Sequence, residues 1–382
     1  MRVLIVAPKM SIYGGAEILV VRLANCLSRI GIKNAVLTTD ILPEIERDLI
    51  DTPIFNYSFK KMTGILKFLN LFKMIYSLNK GIREHRKNFD VINVHNYPAE
   101  FAIFPYRTPC VWMCNEPPMV EIGFLQTPKG TLKHLVLEVI LALDRHVVQR
   151  YVKNAVVADE FNLNRFLGIY CFKPAIIHYG IDHDFFAEGG TRPGSEIQRE
   201  FRVLHVGMLS PLKNQLASVQ TIERLRDSIP NVKLILAGFG EGDYLATIKK
   251  YVAEMNLEEH VLFTGHVSRS QLRDFYHSCD VLLHPIRSQG GWLSPFEAVC
   301  ANLPIVVSEE MTAAALVREY DLGIVTNDFA GALLEIHGNR DEHKGMAERR
   351  ARWVRDNLSW DRFSEKLVES FAAALEAAAA VR

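Results

Sequence analysis

Residues suited to holding an anion follow one another in the stretch SQGGWLSPFEAVCANLPIVVS, residues 288–308. Ser294 is predicted to cap a helix, with Pro295 at the first helical position and Glu297 three residues after the cap, the pattern of a capping box. The Gly290–Gly291 pair lets backbone approach that helix start closely. Free N–H groups and the positive end of the helix dipole favour a phosphate there. We therefore expect an anion site at this loop.

Glu297 and Lys213 each have an ordinary structural explanation as well. Glu297 could only cap its own helix, and a lone lysine such as Lys213 is more often a solvated surface residue. Lys213, however, follows the predicted strand at residues 203–207, and ligands of α/β sheets gather at the carboxyl ends of the strands. A lysine at that edge can reach the same place as the helix start at Ser294. The two features are compatible with a bound phosphate, and at this point the solvated surface lysine stays open as the alternative.

Short apolar runs of strand length alternate with helical patterns, which predicts two doubly wound α/β domains in tandem. In the first half the predicted strands are residues 3–7, 35–39, 91–94, 111–114 and 175–179. In the second half they are residues 203–207, 234–237, 261–263, 281–284 and 305–307. The first strand leads through Gly14 and Gly15 into a helix predicted over residues 16–29. That turn lacks the G-x-G-x-x-G spacing, so no dinucleotide-binding fingerprint is present.

A chain of 382 residues is too long for one ordinary core and suggests two domains. The polar run EGGTRPGS at residues 188–195 is typical of a linker. We expect a first domain at residues 1–187, a linker at 188–200 and a second domain at 201–357. A helix at residues 358–382 is expected to return to the first domain.

Charge is unevenly distributed although the formal net charge is zero. Residues 1–180 hold 22 Lys and Arg against 15 Asp and Glu, or +7, which leaves −7 for the remainder. This balance favours an anionic partner for the first half, such as a membrane surface, or attraction between the halves. Residues 60–87 carry Lys60, Lys61, Lys67 and Lys73 beside an apolar face, so they could lie in a membrane interface. A crossover helix that packs on the sheet is the favoured alternative.

The cysteines and the acidic pair near residue 182 are residue types that can bind metals. The six cysteines show no paired metal spacing, so we expect reduced, buried thiols and a cytosolic protein. Asp182 and Asp184 flank His183 as some metal-binding carboxylate pairs do, but they sit in a connection, and no metal site is expected there. The N-terminal residues fit a first strand rather than a signal peptide. No apolar run approaches the length of a membrane-spanning helix.

Four segments carry a resemblance to a known family. They are FRVLHVGMLSPLKN at residues 201–214, VKLILAGFGEGD at 232–243, VLFTGHVSRSQLRDFYHSCDVLLHP at 261–285 and GGWLSPFEAVCANLPIVVS at 290–308. In order and spacing they resemble the donor domain of family 4 retaining glycosyltransferases with the GT-B fold, the glycosyl transferases group 1. The segments at residues 14–31 and 178–186 are similar too. The resemblance implies two doubly wound Rossmann-like domains that face each other across a cleft, with C-terminal helices.

The resemblance also implies an activity. A sugar would pass from a UDP or GDP sugar to a glycan or lipid-linked acceptor, with retention of configuration, in cell-surface polysaccharide or glycolipid synthesis. The leaving diphosphate is thought to assist the incoming hydroxyl, so neither a protein nucleophile nor a metal or other cofactor is expected. Cations and dipoles that stabilise the departing charge would then carry catalysis. The protein would be cytoplasmic, with contact to the cytoplasmic face of an anionic membrane and no nucleic-acid partner.

The resemblance assigns roles to single residues. Lys213, Glu297 and Gln289 are the expected catalytic residues, and Glu297 would accept hydrogen bonds from the ribose hydroxyls. The donor would be bound by these residues and by Gly14, Gly15, Gly207, Met208, Gly265, His266, Val267, Gly290, Gly291, Trp292, Leu293 and Ser294. The acceptor or the sugar would contact His95, Asn115 and Glu116. For His95, a structural role at a strand end is somewhat favoured.

Three positions depart from the family pattern. Met208 stands where the family usually has an arginine, Gln289 where it has its first glutamate, and Asn115 where a histidine is common. Arg287 could replace the lost charge at Met208. These departures leave open a degenerate member that binds a nucleotide or a protein partner with little turnover. A sugar-nucleotide epimerase on the same scaffold ranks lower, because no acid and base pair is evident.

Overall fold

The computed structural model describes residues 1–12, 14–64, 69–118, 127–189, 200–240, 242–287 and 291–380. The predictions that concern Lys67, Gln289, Gly290 and most of the linker fall outside these residues. The described chain forms two compact units. Unit 1 comprises residues 1–180 and 360–382, and unit 2 comprises residues 181–359.

Unit 1 contains a sheet of parallel strands in the order β3-β2-β1-β4-β5-β6-β7. These strands are β1 (Arg2–Val6), β2 (Lys33–Thr38), β3 (Ile54–Asn56), β4 (Val91–His95), β5 (Cys110–Met113), β6 (Ala155–Val157) and β7 (Ala175–Ile176). The helices that follow them are α1 (Gly15–Arg29), α2 (Pro43–Asp48), α3 (Leu69–His85), α4 (Leu132–Val147) and α5 (Glu160–Ile169). The central strands read as continuous apolar runs because helices cover both faces of a parallel sheet.

Unit 2 repeats the architecture with parallel strands in the order β10-β9-β8-β11-β12-β13. Its strands are β8 (Phe201–Val206), β9 (Val232–Ala237), β10 (Val261–Gly265), β11 (Val281–His284), β12 (Ile305–Val307) and β13 (Ile324–Val325). Its helices are α6 (His183–Ala187), α7 (Gln215–Leu225), α8 (Asp243–Glu254), α9 (Arg269–Ser278), α10 (Leu293–Cys300), α11 (Ala314–Glu319), α12 (Phe329–Gly338) and α13 (Arg340–Asn357).

The last helix, α14 (Trp360–Ala379), belongs to unit 1, where it packs against α1, β4 and β5. It buries Phe363, Leu367 and Phe371. The apolar residues at these positions recur every three or four residues, as expected for a helix with one buried face.

The contacts place residues 181–187 in unit 2, ahead of the boundary expected at residue 187. The reason is packing of α6 against α9 and α10 of unit 2. The His277 Nε2 atom lies 2.8 Å from the Phe186 carbonyl oxygen, and the rings of Phe186 and Tyr276 meet edge to face at 5.6 Å between centroids.

Several elements differ from the sequence-based prediction. The run at residues 175–179 forms a strand only at Ala175–Ile176, and the helix expected from residue 60 is described only from Leu69, so Lys60 and Lys61 precede it. Five of the six cysteines are buried, but Cys171 is exposed, contrary to expectation. Among the helices of the described residues, none is long and apolar enough to cross a membrane.

Candidate active site

Strands β8 and β11 are neighbours in the unit 2 sheet, and the strand order reverses between them. Ligands of doubly wound sheets bind outside the carboxyl ends of strands at such a switch point. Lys213 follows β8, and its Cγ, Cδ and Cε atoms lie 3.6–3.8 Å from where a Cβ at Gly207 would stand. Gly207 has φ +145°, a conformation that favours glycine. The structure therefore places Lys213 at the edge where its side chain was expected.

Two buried histidines lie beneath Lys213, at the ends of the same two strands. The rings of His205 and His284 are 6.2 Å apart, and His205 Nδ1 lies 2.8 Å from the Ser218 hydroxyl. Burial, reinforced by the Lys213 ammonium, lowers the pKa of His205 to about 3 and that of His284 well below its usual value. Both imidazoles are therefore neutral at pH 7, and the positive charge at this switch point belongs to Lys213.

Gly291 lies directly against the second of these histidines. A Cβ atom at position 291 would stand 2.4 Å from His284 Nε2 and 3.0 Å from Ile286 Cδ1. Only glycine fits, so the chain can pass close to the end of β11 just before α10 begins. The neighbouring predicted residues Gln289 and Gly290 lie outside the described part of the chain.

The capping box predicted at Ser294 is wrong. Helix α10 begins at Leu293 with Trp292 at its N-cap, so Ser294 and Pro295 lie inside the first turn, and among the described residues no side chain caps this end. Trp292 is buried, and its ring lies 4.8 Å from that of Phe296, one turn further along the helix. Leu293 is half-buried beside it. The backbone N–H groups of this helix start remain candidates for binding an anion.

Glu297 does not cap its own helix. Its carboxylate is buried and accepts a hydrogen bond of 3.0 Å from the Tyr276 hydroxyl, 21 residues earlier on α9. Burial raises the pKa of Glu297 to about 7, while Arg269 and the Tyr276 bond act in the opposite direction. A carboxyl group with this pKa changes its protonation state near neutral pH. Tyr276 could not be predicted as its partner, because the contact joins two helices that are not adjacent in the chain.

Asp182, one of the two carboxylates that flank His183, forms an ion pair with Arg269. The Arg269 guanidinium also lies over the rings of Phe185 and Phe186, at 4.7 and 5.4 Å from their centroids. His183 Nδ1 lies 3.1 Å from the Asp184 carboxylate. In the described residues no three His, Cys, Asp or Glu side chains cluster as metal ligands would.

The loop after β10 was expected to line the nucleotide base. Gly265 has φ +70°, and its carbonyl oxygen accepts a 3.0 Å hydrogen bond from the Gly238 N–H at the end of β9. His266 is exposed and Val267 half-buried. Phe239, which sequence reasoning missed, is 51% exposed beside this loop and offers an apolar surface there. The sequence feature that could have identified Phe239 is its position directly after Gly238, at the carboxyl end of β9.

Met208 is 58% exposed, so an apolar side chain stands where a cation was expected. The Arg287 N–H donates a 2.8 Å hydrogen bond to the Leu212 carbonyl, and Asn214 Nδ2 donates to the Pro285 carbonyl at 2.9 Å. These bonds tie the segment that carries Arg287 to the loop that carries Lys213. The backbone at Arg287 therefore lies next to the loop that carries Lys213, where the phosphate is expected.

The predicted residues of unit 1 lie at the carboxyl edge of its own sheet. Gly14 is the N-cap of α1, which begins at Gly15, and its N–H donates to Glu17 Oε2 at 3.2 Å. A Cβ at Gly14 would stand 3.2 Å from the same oxygen, which is tight contact. Burial raises the pKa of Glu17, and this carboxylate caps the helix.

His95 is fully buried, so its side chain is not exposed to an acceptor in this structure. Its Nε2 atom lies 2.8 Å from Asn93 Oδ1, and burial lowers its pKa to about 3, which agrees with the structural alternative. Asn115 is half-buried, with Oδ1 accepting from the Tyr179 hydroxyl at 2.8 Å. Glu116 next to it is half-buried as well. These two remain at a surface that a ligand could reach.

Comparison with known proteins gives one family and several relatives. Residues 191–353 match the family described as Glycosyl transferases group 1. The chain is 25% identical over 208 residues to the GDP-mannose-dependent alpha-(1-6)-phosphatidylinositol monomannoside mannosyltransferase of Mycobacterium tuberculosis. That alignment includes 50% of this chain and 53% of the relative, so the chain spans about half the length of this curated relative.

Two solved structures resemble the whole chain. Sucrose-phosphate synthase from Thermosynechococcus elongatus aligns with a TM-score of 0.80 and 16% identity, covering 99% of this chain and 100% of that one. Anabaena HepE in complex with UDP and glucose aligns with a TM-score of 0.76 and 17% identity, covering 97% and 99%. At these identities the likeness shows the fold, and the expected α/β architecture is confirmed.

Proposed function

We infer from residues 191–353, which belong to the glycosyl transferases group 1, that the protein transfers a sugar from a nucleoside diphosphate sugar to an acceptor hydroxyl. Unit 2 would hold the donor. The donor would be a UDP or GDP sugar, since relatives named for GDP-mannose and a neighbour bound to UDP both occur. Loss of the diphosphate leaves a developing negative charge, which a fixed cation stabilises in the transition state.

The observation that carries this proposal is the position of Lys213 at the switch point of the unit 2 sheet. Its stem lies on Gly207 at the end of β8, and its charge acts on His284 at the end of β11. His284 in turn touches the position of Gly291, just before the helix that bears Glu297. This sheet edge thus combines a cation with a close backbone approach, and the helix that follows carries a buried carboxylate. These are the groups that a diphosphate and a ribose need.

The test is transfer and hydrolysis with a panel of UDP and GDP sugars. Lys213→Ala and Glu297→Ala should each abolish turnover of whichever donor is used, while the unfolding temperature changes little. Lys250→Ala on the exposed face of α8 is the matched control and should keep full activity. Full activity in either site variant would refute the assignment.

We also propose that the reaction retains configuration and needs no metal. The proposal rests on the resemblance and on a cation, Lys213, at the expected place for the leaving diphosphate. Turnover should therefore persist in excess EDTA, and the anomeric proton of the first product should show the donor's configuration by NMR. Loss of activity with EDTA and its recovery with Mg²⁺ or Mn²⁺ would reject the metal-free reaction.

A degenerate protein that binds nucleotide with little turnover is the second candidate, and Met208 is the observation that favours it. An exposed methionine removes one expected charge from the phosphate site. Nucleotide binding by calorimetry without hydrolysis or transfer of any donor in the panel would favour this second reading.

We propose a lipid-linked acceptor and a role in cell-surface polysaccharide or glycolipid synthesis, with unit 1 in contact with an anionic membrane. Helix α4 supports the contact, because a line of aliphatic side chains along it is more than half exposed: Leu132, Leu135, Val136, Val139 and Leu143. Exposed apolar faces of this kind mark interaction sites. Four exposed basic residues surround this face, whereas one exposed acid, Glu138, lies on the same helix; the basic residues are Lys129, Lys133, Arg145 and Arg150. This excess of positive charge favours binding to anionic lipid.

Helix α3 supports the same contact. Phe72 and Tyr76 are exposed one turn apart, at 59% and 68%, while Leu78, Gly81 and Ile82 pack on the sheet. Lys73, Lys80 and Arg83 follow the exposed side or its borders. One face of the helix thus packs on the sheet, as expected of a crossover helix, and the other presents aromatic and basic side chains that could contact a membrane. The two alternatives considered for this segment are therefore compatible.

Sedimentation with vesicles of anionic and of neutral lipid tests the membrane contact. Binding should require anionic lipid, weaken with salt, and fall in Leu135→Ser/Val139→Ser. The matched control, Leu262→Ser/Leu334→Ser, changes two exposed leucines of unit 2 and should bind as the parent does. Equal binding by both double variants would remove α4 from the contact. We place the protein in the cytoplasm, on the inner membrane face, because its six cysteines are unpaired.

A further inference from the structure

A cavity of about 740 Å³ opens at the amino-terminal edge of the unit 1 sheet. Arg2 begins β1, Asp90 immediately precedes β4, and Pro109 immediately precedes β5, and these three neighbouring strands supply one side of the cavity. Gly14 and His95 lie at the opposite, carboxyl edge of the same sheet. The cavity is therefore separate from the proposed sugar-transfer chemistry.

Positive charge dominates the lining. Arg2, Arg86, Lys87 and Arg107 face one acid, Asp90. Asp90 is already used: its Oδ1 atom lies 2.8 Å from Arg2 Nη2, and its Oδ2 atom accepts from the Arg2 backbone N–H at 2.8 Å. This pair holds the pKa of Asp90 below its usual range. The other three cations form no ion pair with any residue in the described ranges.

Arg86 is the best-placed of these cations. Its guanidinium lies over the Tyr106 ring, 4.7 Å from the centroid, which fixes the orientation of its plane. Its Nε atom is buried and has no hydrogen-bond partner among the described residues. A buried donor of this kind is costly unless an acceptor completes it. A planar guanidinium held in place is suited to a phosphate, which accepts two parallel hydrogen bonds.

The remaining lining is apolar. Phe89 contributes its ring next to β4, and Leu375 and Ala378 from the last turns of α14 form a further wall. Inorganic phosphate would use only the cations and leave this wall in water. A ligand that joins an anionic head to an apolar group would use both parts.

We propose that this cavity binds a phosphate ester that carries an apolar group. Two sources offer this chemistry, namely a soluble phosphorylated compound and the headgroup region of a phospholipid. The inference does not depend on the proposed sugar transfer, because the cavity lies in unit 1 and at the other edge of its sheet. A purely structural use of the cations, as partners of the carbonyl groups that end α14, is the competing explanation.

The first experiment measures binding of n-octyl phosphate, below its micelle concentration, by calorimetry. Lys213→Ala serves as the parent in this experiment, so that a phosphate at the donor site does not contribute. We expect saturable binding, and weaker binding of inorganic phosphate. Lys87→Gln/Arg107→Gln removes two exposed cations that have no ion pair within the described part of the chain. It should raise the Kd at least about tenfold, the effect of one or two charge-assisted contacts.

The matched variant is Lys153→Gln/Lys173→Gln, which lowers the charge of unit 1 equally at exposed positions that do not line this cavity. It should bind octyl phosphate as the parent does. An equal loss in both double variants would mean non-specific attraction and would overturn the proposal. So would absence of binding in the parent, or a lower unfolding temperature of Lys87→Gln/Arg107→Gln with unchanged affinity, which indicates the structural role.

Vesicles with phosphatidic acid separate the two sources. If the headgroup is the ligand, Lys87→Gln/Arg107→Gln should sediment less than Lys153→Gln/Lys173→Gln. If both double variants sediment alike while only the first loses octyl phosphate binding, the ligand is a soluble phosphate ester.

Discussion

Glu297 changes its protonation state near neutral pH because its carboxyl group is buried. A ribose hydroxyl needs the carboxylate form as its acceptor, so nucleotide affinity should increase as pH rises from 6 to 8 through the pKa of about 7. The stability of the protein without nucleotide depends on pH in the opposite direction: it should decrease as pH rises. The folded pKa lies above the usual value of 4.5, so the contribution is complete at acidic pH and is lost as pH rises through about 7.

Tyr276→Phe should move this pH dependence upward. The Tyr276 hydroxyl donates to Glu297 and favours its charged form, so its removal raises the pKa of Glu297 further. We expect nucleotide affinity at pH 7 to fall roughly tenfold, the effect of one buried bond to a charge, and to recover in part at pH 8.5. Calorimetric titrations at several pH values measure this. Tyr251→Phe, which loses a surface bond to Glu223, is the control and should keep the parent profile.

Met208 and Arg287 allow a direct test of how the lost charge is replaced. If Arg287 serves the phosphate, Arg287→Ala should weaken nucleotide binding by about 1.5–3 kcal/mol, the usual value of a charge-assisted bond. Met208→Arg should restore the affinity in that background, because position 208 is exposed at the same sheet edge. Met208→Leu keeps the side chain neutral and should restore nothing. Failure of Met208→Arg to rescue would show that the two positions do not serve one phosphate.

At the scale of elements, the segment between β11 and α10 is limited by close packing. Gly291→Ala would put a Cβ 2.4 Å from the ring of buried His284. Such overpacking costs about 1–3 kcal/mol, so the free energy of unfolding should fall by this amount, and nucleotide binding should weaken. Denaturant titration measures the first effect and calorimetry the second.

Gly345→Ala is the matched control for that substitution. It lies within α13, and a Cβ there would have no atom within 4 Å. Replacing a helical glycine by alanine should stabilise the protein by about 0.4–1 kcal/mol. If Gly291→Ala did not lower the free energy of unfolding either, the close packing of residue 291 on His284 would not restrict this position to glycine.

Elements with long buried runs were predictable from the sequence, whereas those set by tertiary contacts were not. The apolar runs of β1 and β8 are long enough to identify a strand. Strands β3, β6 and β13, which were not predicted, have only two or three residues and depend on their neighbours in the sheet. The start of α10 was misplaced as well, because the prediction rested on the capping residues Ser294 and Glu297, whereas the observed N-cap is Trp292, a residue outside that pattern. The residue types of the site, Lys213 and Glu297, could be read from the sequence, but the partner Tyr276 could not.

At the scale of the whole molecule, unit 1 depends on a helix that follows unit 2 in the chain. Phe371→Ala should lower the free energy of unfolding by about 3–5 kcal/mol, because its ring is fully buried in unit 1. That is a large share of the roughly 5–15 kcal/mol that stabilises a typical domain. Denaturant unfolding measures it. Lys366→Ala, exposed on the same helix, should change stability by less than about 0.5 kcal/mol, and an equal effect of both would mean that α14 is not part of the core.

The order in which the chain is made has a consequence for its folding in the cell. Residues 181–359 are synthesised before α14. Unit 2 can therefore fold while unit 1 still lacks the helix that packs on β4 and β5. At about 5–20 residues per second, this wait lasts roughly 10–40 s. Throughout it, nascent chains carry an open apolar surface that chaperones can occupy. Slower translation of the middle of the message would prolong that exposure and lower the yield of active protein.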